Sequence, residues 1–310
     1  MRKILIITLT ILLNFNLFGQ GANIVVLETE TGRLEGTLLV PDIKRDIPVA
    51  LIIAGSGPTD RNGNNPSMKN NSLKMLAEGL VKEDVASLRY DKRGIGKSRN
   101  AGMHEDSLRF EHYIQDARDW IELLQKRKEF NDIIVIGHSQ GSLIGMIASR
   151  KKEVKKFISI AGSGESVDKL LLTQLKSQPP YVMEDAKPII EKLKNGQTVD
   201  DIPQYLYSLF RPSVQPYMIS QFKYDPCEEI AKLDKPIMII EGTTDLQIRI
   251  LDANLVAMSK PNAEKHIFKG MNHIMKNAES DRQKNLATYN QPDLPLTEGL
   301  VDEIVKFIKN

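Results

Sequence analysis

Ile133, Ile134, Val135 and Ile136 run without a polar break into Gly-His-Ser-Gln-Gly, and Leu143, Ile144, Met146 and Ile147 follow at helical spacing. An unbroken run of branched apolar residues suits a parallel strand covered on both faces by helices. A buried strand therefore turns into a buried helix within a few residues, around Ser139. A turn that tight strains its central residue and crowds the positions two before and two after it, which Gly137 and Gly141 occupy. Ser139 could simply cap the helix, and a G-x-S-x-G string alone is weak evidence. The flanking strand and helix give it a second reading. The strain lifts the hydroxyl out of the chain, and the N–H of Gln140, at the helix start, points to where an oxyanion would form. Ser139 is thus a candidate nucleophile.

The same alternation of strand and helix extends along the chain. "NIVVLE" and "RLEGTLLV" read as a hairpin across Glu30 to Gly32, and "IPVALIIAG" as a third, more buried strand. "DVASLRYD", "DIIVIGH", "KKFISIAG", "KPIMIIEG" and "EKHIFKG" complete a set of eight strands. Helical patterns over residues 72–82, 106–126, 142–149 and 252–258 separate the later strands. Such alternation predicts an α/β fold: a doubly wound, mostly parallel eight-stranded sheet with helices on both faces and the opening hairpin as an antiparallel edge. One connection, about residues 165–230, is far longer than an ordinary βα loop and holds helical stretches at 167–176 and 186–194. It predicts a helical insertion. Leu300, Ile304, Phe307 and Ile308 form the apolar face of a closing helix.

The chain has 310 residues, 41% of them hydrophobic and 26% charged, enough to bury one large core or two modest ones. A net charge of +2 with no run of five like charges argues against a nucleic-acid partner. Arg2 and Lys3 precede "ILIITLTILL", which is too short to span a bilayer but suits the apolar region of a secretory signal. The expected organisation is a signal peptide at 1–20 and a catalytic domain at 21–310, with export to the periplasm or beyond and no stable membrane insertion of the mature chain. The cleavage site is not a clean small-x-small pattern, so an uncleaved anchor stays open. Cys227 is the single cysteine, which excludes an internal disulfide and a thiolate metal cluster. The five histidines are dispersed and none forms H-E-x-x-H, so no metal set is expected.

A serine nucleophile needs a histidine base, and the base needs a carboxylate to set its tautomer. Two histidines follow Ser139. His273 lies in "KGMNHIM", beyond the last strand, where open α/β sheets bind ligands. His266 sits inside the strand pattern, where packing or edge solvation is the simpler role. For the acid, Asp245 stands just past a buried strand in "MIIEGTTDLQI". Glu241 competes, but its place inside the apolar run argues for a supporting role. "DKRGIGKS" ends like a Walker A loop, yet Asp91 stands where that motif needs glycine, so ATP is not expected.

In this order, "AGSGPTDRNGN", "LRYDKRGIGKS", "GHSQGS", "GTTDLQI" and "MNH" resemble bacterial carboxylesterases of the α/β-hydrolase family, as does "NLATYNQPDLPL" before the last helix. The resemblance covers nearly the whole mature chain. It implies a serine esterase acting on short acyl esters, small molecules, with Ser139, Asp245 and His273 as the triad and no cofactor. It further implies that the insertion is a cap, that "DKRGIGKS" supports the site from below, and that the N–H of Ser56 joins that of Gln140 in an oxyanion hole. Ala54 stands where many members have histidine. Asp60 and Arg61 are expected to brace the Ser56 loop, with direct substrate contact as the alternative. Thioesterase, acetyl-sugar esterase and peptidase share the mechanism, and a non-catalytic binding module shares the fold.

Overall fold

The computed structural model describes residues 23–43 and 46–310; the expected signal segment lies outside the described residues. Eight strands form one sheet: β1 (Asn23–Thr29), β2 (Gly32–Leu39), β3 (Ile47–Ile53), β4 (Ala86–Tyr90), β5 (Phe130–His138), β6 (Val154–Ile160), β7 (Ile237–Gly242) and β8 (Glu264–Phe268). Their order across the sheet is β1-β2-β4-β3-β5-β6-β7-β8. β2 pairs antiparallel with both β1 and β4, and every other neighbouring pair is parallel. The opening hairpin is therefore an edge, and β2 is the one strand running against the rest.

The apolar runs have no polar positions because successive residues enter two different cores. Val49, Leu51, Ile53, Ile133 and Val135 face one core, while Ala50, Ile52, Ala54, Ile134 and Ile136 face the other. The first core is closed by α2 (Phe110–Gln125), α3 (Gln140–Ala148) and α9 (Ile250–Ser259). The second is closed by α1 (Ser72–Lys82) and α11 (Leu300–Lys309). Each buried Ile, Leu or Val side chain contributes about 1.5–3 kcal/mol relative to exposure. α2 begins later than the residue pattern predicts, because Glu105–Ser107 forms a separate 3₁₀ turn. α3 begins earlier, directly after Ser139.

Between β6 and β7 lie α4 (Val167–Leu175), α5 (Pro180–Lys194), α6 (Tyr207–Phe210), α7 (Gln215–Gln221) and α8 (Pro226–Ala231). The first four build their own apolar centre from residues such as Ile190, Leu193, Phe210 and Met218. α8 instead sends Ile230 into the main core. Tyr217 of α7 packs edge-on against Phe110 and Tyr113, which ties this helical layer to α2. Past β8, α10 (Arg282–Ala287), which the residue pattern did not predict, leads to α11. Among the described residues no helix is long and apolar enough to cross a membrane.

All parallel strands end at the same edge of the sheet. β4 lies on one side of β3 and β5 on the other, so the chain changes winding direction there, and the loops after β3 and β5 open a crevice between them.

Candidate active site

Ser139 joins β5 to α3 with φ 55° and ψ −123°, a conformation that is strained for any residue with a side chain. The neighbouring glycines make this turn possible. A Cβ on Gly137 would lie 2.3 Å from the Gly141 carbonyl oxygen, and one on Gly141 would lie 2.3 Å from that of Ile53. Gln140 is the first residue of α3, where a backbone N–H has no acceptor within the helix.

Ser139, Gln140 and Ser56 line one cavity of about 730 Å³ between the sheet edge and the helical insertion. Its remaining wall is mainly apolar, with Leu143, Leu171 and Met218 among the contributors. Gly55 brings the Ser56 loop against the serine, since a Cβ there would lie 3.1 Å from Ser139 Cβ.

Asp245 and His273 meet from two different loops. Nδ1 of His273 lies 2.7 Å from Oδ2 of Asp245, and both side chains are buried. The other Asp245 oxygen accepts from the N–H groups of Gln247 and Ile248, at 2.7 and 3.0 Å. Burial opposes the Asp245 charge, but the adjacent His273 ring and these two N–H bonds outweigh it and hold the carboxyl below its usual range. With Nδ1 engaged by the carboxylate, Nε2 of His273 is the nitrogen left to act as a base.

Several supports were not legible in the chain. His138 donates through Nε2 to the main-chain carbonyl of His273 at 2.7 Å, and the two rings stand 4.9 Å apart. Burial pushes the His138 pKa down to about 4, so the ring is neutral at pH 7. Its place directly before Ser139 is the one signal of this role in the sequence. "NLATYNQPDLPL" also acquires a physical role. Nδ2 of Asn285 donates to the carbonyl of Thr244 at 2.8 Å, while Nδ2 of Asn272 reaches Thr288 Oγ1 at 2.8 Å and Asn285 Oδ1 at 3.2 Å. One segment thus ties the loop of the acid to the loop of the base.

The two alternative candidates take other roles. His266 faces Glu264 at 3.5 Å and Glu303 at 3.7 Å on the edge strand. Glu241 is fully buried, and its Oε1 accepts from the Gly242 N–H at 2.9 Å. Burial, and then the Asp245 carboxylate beside it, push its pKa up to about 10, so it keeps its proton at pH 7.

Asp60 and Arg61 do not line the cavity. Asp60 Oδ1 accepts from the N–H groups of Asn62 and Asn64, at 2.8 and 2.9 Å. The Arg61 N–H donates to Asp91 Oδ1 at 2.8 Å, and its guanidinium pairs with Glu35. Asp91 also accepts from the Lys97 N–H at 2.9 Å, and Arg93 pairs with Asp116 in the core. "DKRGIGKS" is therefore a bracing turn beneath the Ser56 loop. Its Lys92 is buried and does line the cavity, a placement that nothing in the motif announces.

Residues 69–202 match the family model described as serine aminopeptidase, S33. Over 250 residues the chain is 25% identical to Esterase EstD of Thermotoga maritima, covering 78% of this chain and 58% of that protein's length. Among solved structures, Est1E from Butyrivibrio proteoclasticus superposes with a TM-score of 0.59 at 17% identity, covering 93% of this chain and 99% of that one. The α/β hydrolase GrgF from a Penicillium species superposes with a TM-score of 0.63 at 18% identity, covering 93% and 98%.

Proposed function

From the premise that the chain is an α/β-hydrolase by fold, we propose that it is a serine carboxylesterase that hydrolyses short-chain acyl esters through an acyl-enzyme intermediate. The observation that carries this reading is the buried Asp245–His273 pair, 2.7 Å apart, gathered at the same sheet edge as the strained Ser139.

In this mechanism Ser139 Oγ attacks the ester carbonyl carbon while Nε2 of His273 takes the hydroxyl proton. Asp245 keeps the imidazole oriented and stabilises the imidazolium. Negative charge gathers on the former carbonyl oxygen, which the backbone N–H groups of Ser56 and Gln140 stabilise. Collapse of the tetrahedral species breaks the bond to the alcohol oxygen, and His273 returns the proton to that leaving group. Water then repeats both steps on the acyl-enzyme and releases the acid. The apolar cavity wall suits an uncharged acyl or alcohol group, and the helical insertion above it serves as the cap that limits acyl length.

The family match over residues 69–202 favours a second reading, cleavage of a peptide amide by the same groups. The deciding experiment is a panel of p-nitrophenyl esters of increasing acyl length, an acyl-CoA and peptide amides, assayed on purified protein. Esters with acyl groups of roughly two to six carbons should give the highest kcat/KM. Turnover of amides in preference to every ester would overturn the esterase reading. Arg2, Lys3 and the apolar run after them support export, and sequencing the N-terminus of the protein from fractionated native cells tests it. An intact Met1 on cytoplasmic protein would refute export.

A further inference from the structure

We propose that Lys92 is a positioning residue for the oxyanion hole, gripping the peptide carbonyls on either side of Ser56 and so fixing the direction of the Ser56 N–H. This rests on the reading of Ser56 as an oxyanion donor and adds the group that aims it.

Nζ of Lys92 donates to the carbonyl oxygen of Gly55 and, at 3.1 Å, to that of Gly57. These two carbonyls flank Ser56 on either side. The Gly55 carbonyl and the Ser56 N–H belong to one peptide unit, which is planar and trans. In such a unit the C=O and N–H point in opposite directions, so a donor holding the oxygen aims the N–H away from itself. A hydrogen bond accepted at the oxygen also polarises the unit and strengthens its N–H as a donor. Either protonation state of the amine keeps enough N–H bonds for both carbonyls.

The loop needs such a tether. Gly57 has φ +66°, and a Cβ added there would meet nothing within 4 Å; Thr59 Oγ1 fastens the Ser56 carbonyl at 2.9 Å, which leaves the preceding Gly55–Ser56 peptide unit to Lys92. Gly55, in contrast, lies against Ser139, and a small shift of the loop would move the donor relative to the reacting carbon. Lys92 itself is 1% exposed, and the Tyr113 ring lies 5.6 Å from its nitrogen. Burying an amine is unfavourable unless its hydrogen bonds are satisfied, and among the described residues its hydrogen-bond partners are these two carbonyls. An apolar side chain would fill the same space without that penalty, so the hydrogen bonds themselves are the reason for a lysine.

The test compares wild type with Lys92→Met, Lys92→Gln and Lys92→Arg in steady-state ester hydrolysis, inhibition by an alkylboronic acid, and thermal unfolding. The boronate forms a tetrahedral adduct on Ser139 and reports on transition-state binding. Lys92→Met should lower kcat by roughly 10–100-fold, with KM within about threefold, and weaken boronate inhibition by a similar factor. Lys92→Gln, which keeps an N–H donor, should recover part of the loss.

Carbonyl-¹³C glycine and ¹⁵N serine labelling reduces the spectrum to three Gly-Ser amides, from which the signal lost in Ser56→Ala identifies that of Gly55–Ser56. In wild type its proton signal should move downfield on boronate binding, and in Lys92→Met this movement should shrink. If the wild-type signal does not respond, Ser56 is not the donor and the underlying reading fails. If it responds, but a folded Lys92→Met keeps wild-type kcat and boronate affinity, the positioning role alone is overturned. Failure of all three variants to fold would likewise overturn it, because Lys92 would then be a general structural tether.

Discussion

The imidazole of His138 donates to the main-chain carbonyl of His273 across 2.7 Å, so the residue before the candidate nucleophile holds the loop of the candidate base. Because the acceptor is a carbonyl, Nε2 of His138 must carry the proton. Burial keeps the ring neutral at pH 7, so it is the Nε2–H tautomer, and its titration has a measurable consequence.

Burial lowers the His138 pKa from 6.5 to about 4. A group with a depressed histidine pKa favours the native state above the unfolded value, and that contribution is lost as pH falls toward the folded value. Between pH 7 and 4.5 wild type should lose roughly 2 kcal/mol from this group. His138→Gln retains an N–H donor and does not titrate. Urea unfolding at both pH values should show the gap between wild type and this variant narrowing on acidification; a constant gap would mean that His138 protonates freely in the fold.

Glu241 carries the opposite sign. Its pKa is raised to about 10, so its contribution is complete below the unfolded value near 4.5 and is lost as pH rises toward 10. At pH 8 the unfolded state gains by ionising and the native state does not. Glu241→Gln should then be more stable than wild type by about 1–3 kcal/mol at pH 8, with the advantage shrinking toward pH 5. Most ester hydrolysis should survive. Parallel stability curves from pH 5 to 9 would show that the carboxyl ionises in place.

Replacing Ser139 or His273 with alanine should lower kcat by several orders of magnitude without unfolding the protein. The double variant should be hardly worse than either single one, since a triad acts as a unit. Asp245→Asn should be severe but milder, because the hydroxyl and imidazole remain. His266→Ala, on the edge strand beside Glu264 and Glu303, should keep most activity. A fluorophosphonate probe should label wild type at Ser139 and leave Ser139→Ala unlabelled; an inactive His266→Ala beside an active His273→Ala would move the base to the other histidine.

The cap reading is tested best by a point change, because deleting α4–α8 would uncover Phe110 and Tyr113, which Tyr217 covers. Leu171 lines the cavity and packs against the insertion's own core. Leu171→Trp should reduce kcat/KM for an octanoyl ester roughly tenfold more than for an acetyl ester. Equal losses on both esters would show that this wall does not select acyl length.

The turn at Ser139 was legible because its causes are close neighbours. Gly137 and Gly141 are required by contacts within the turn and with the adjoining strand, and the apolar runs on either side announce the strand and helix being joined. Asp245 and His273 were legible as positions beyond strand ends, since hydrophobic periodicity locates those ends. The bounds of α2 and α3 shifted because the single 3₁₀ turn ahead of α2 and the strained Ser139 ahead of α3 leave no periodic trace.

The amino-acid sequence by itself determined the order of strands and helices, the tight turn around Ser139, and which polar residues stand at strand ends. Each depends on side-chain size and backbone freedom over a few consecutive residues. Only the tertiary structure decided that Asp245 pairs with His273, that His138 braces the base, that Glu241 keeps its proton and that Lys92 grips the Ser56 loop. Partner choice and protonation of a buried polar group depend on which distant loops the sheet order brings together and on how much water they exclude. No local pattern encodes that.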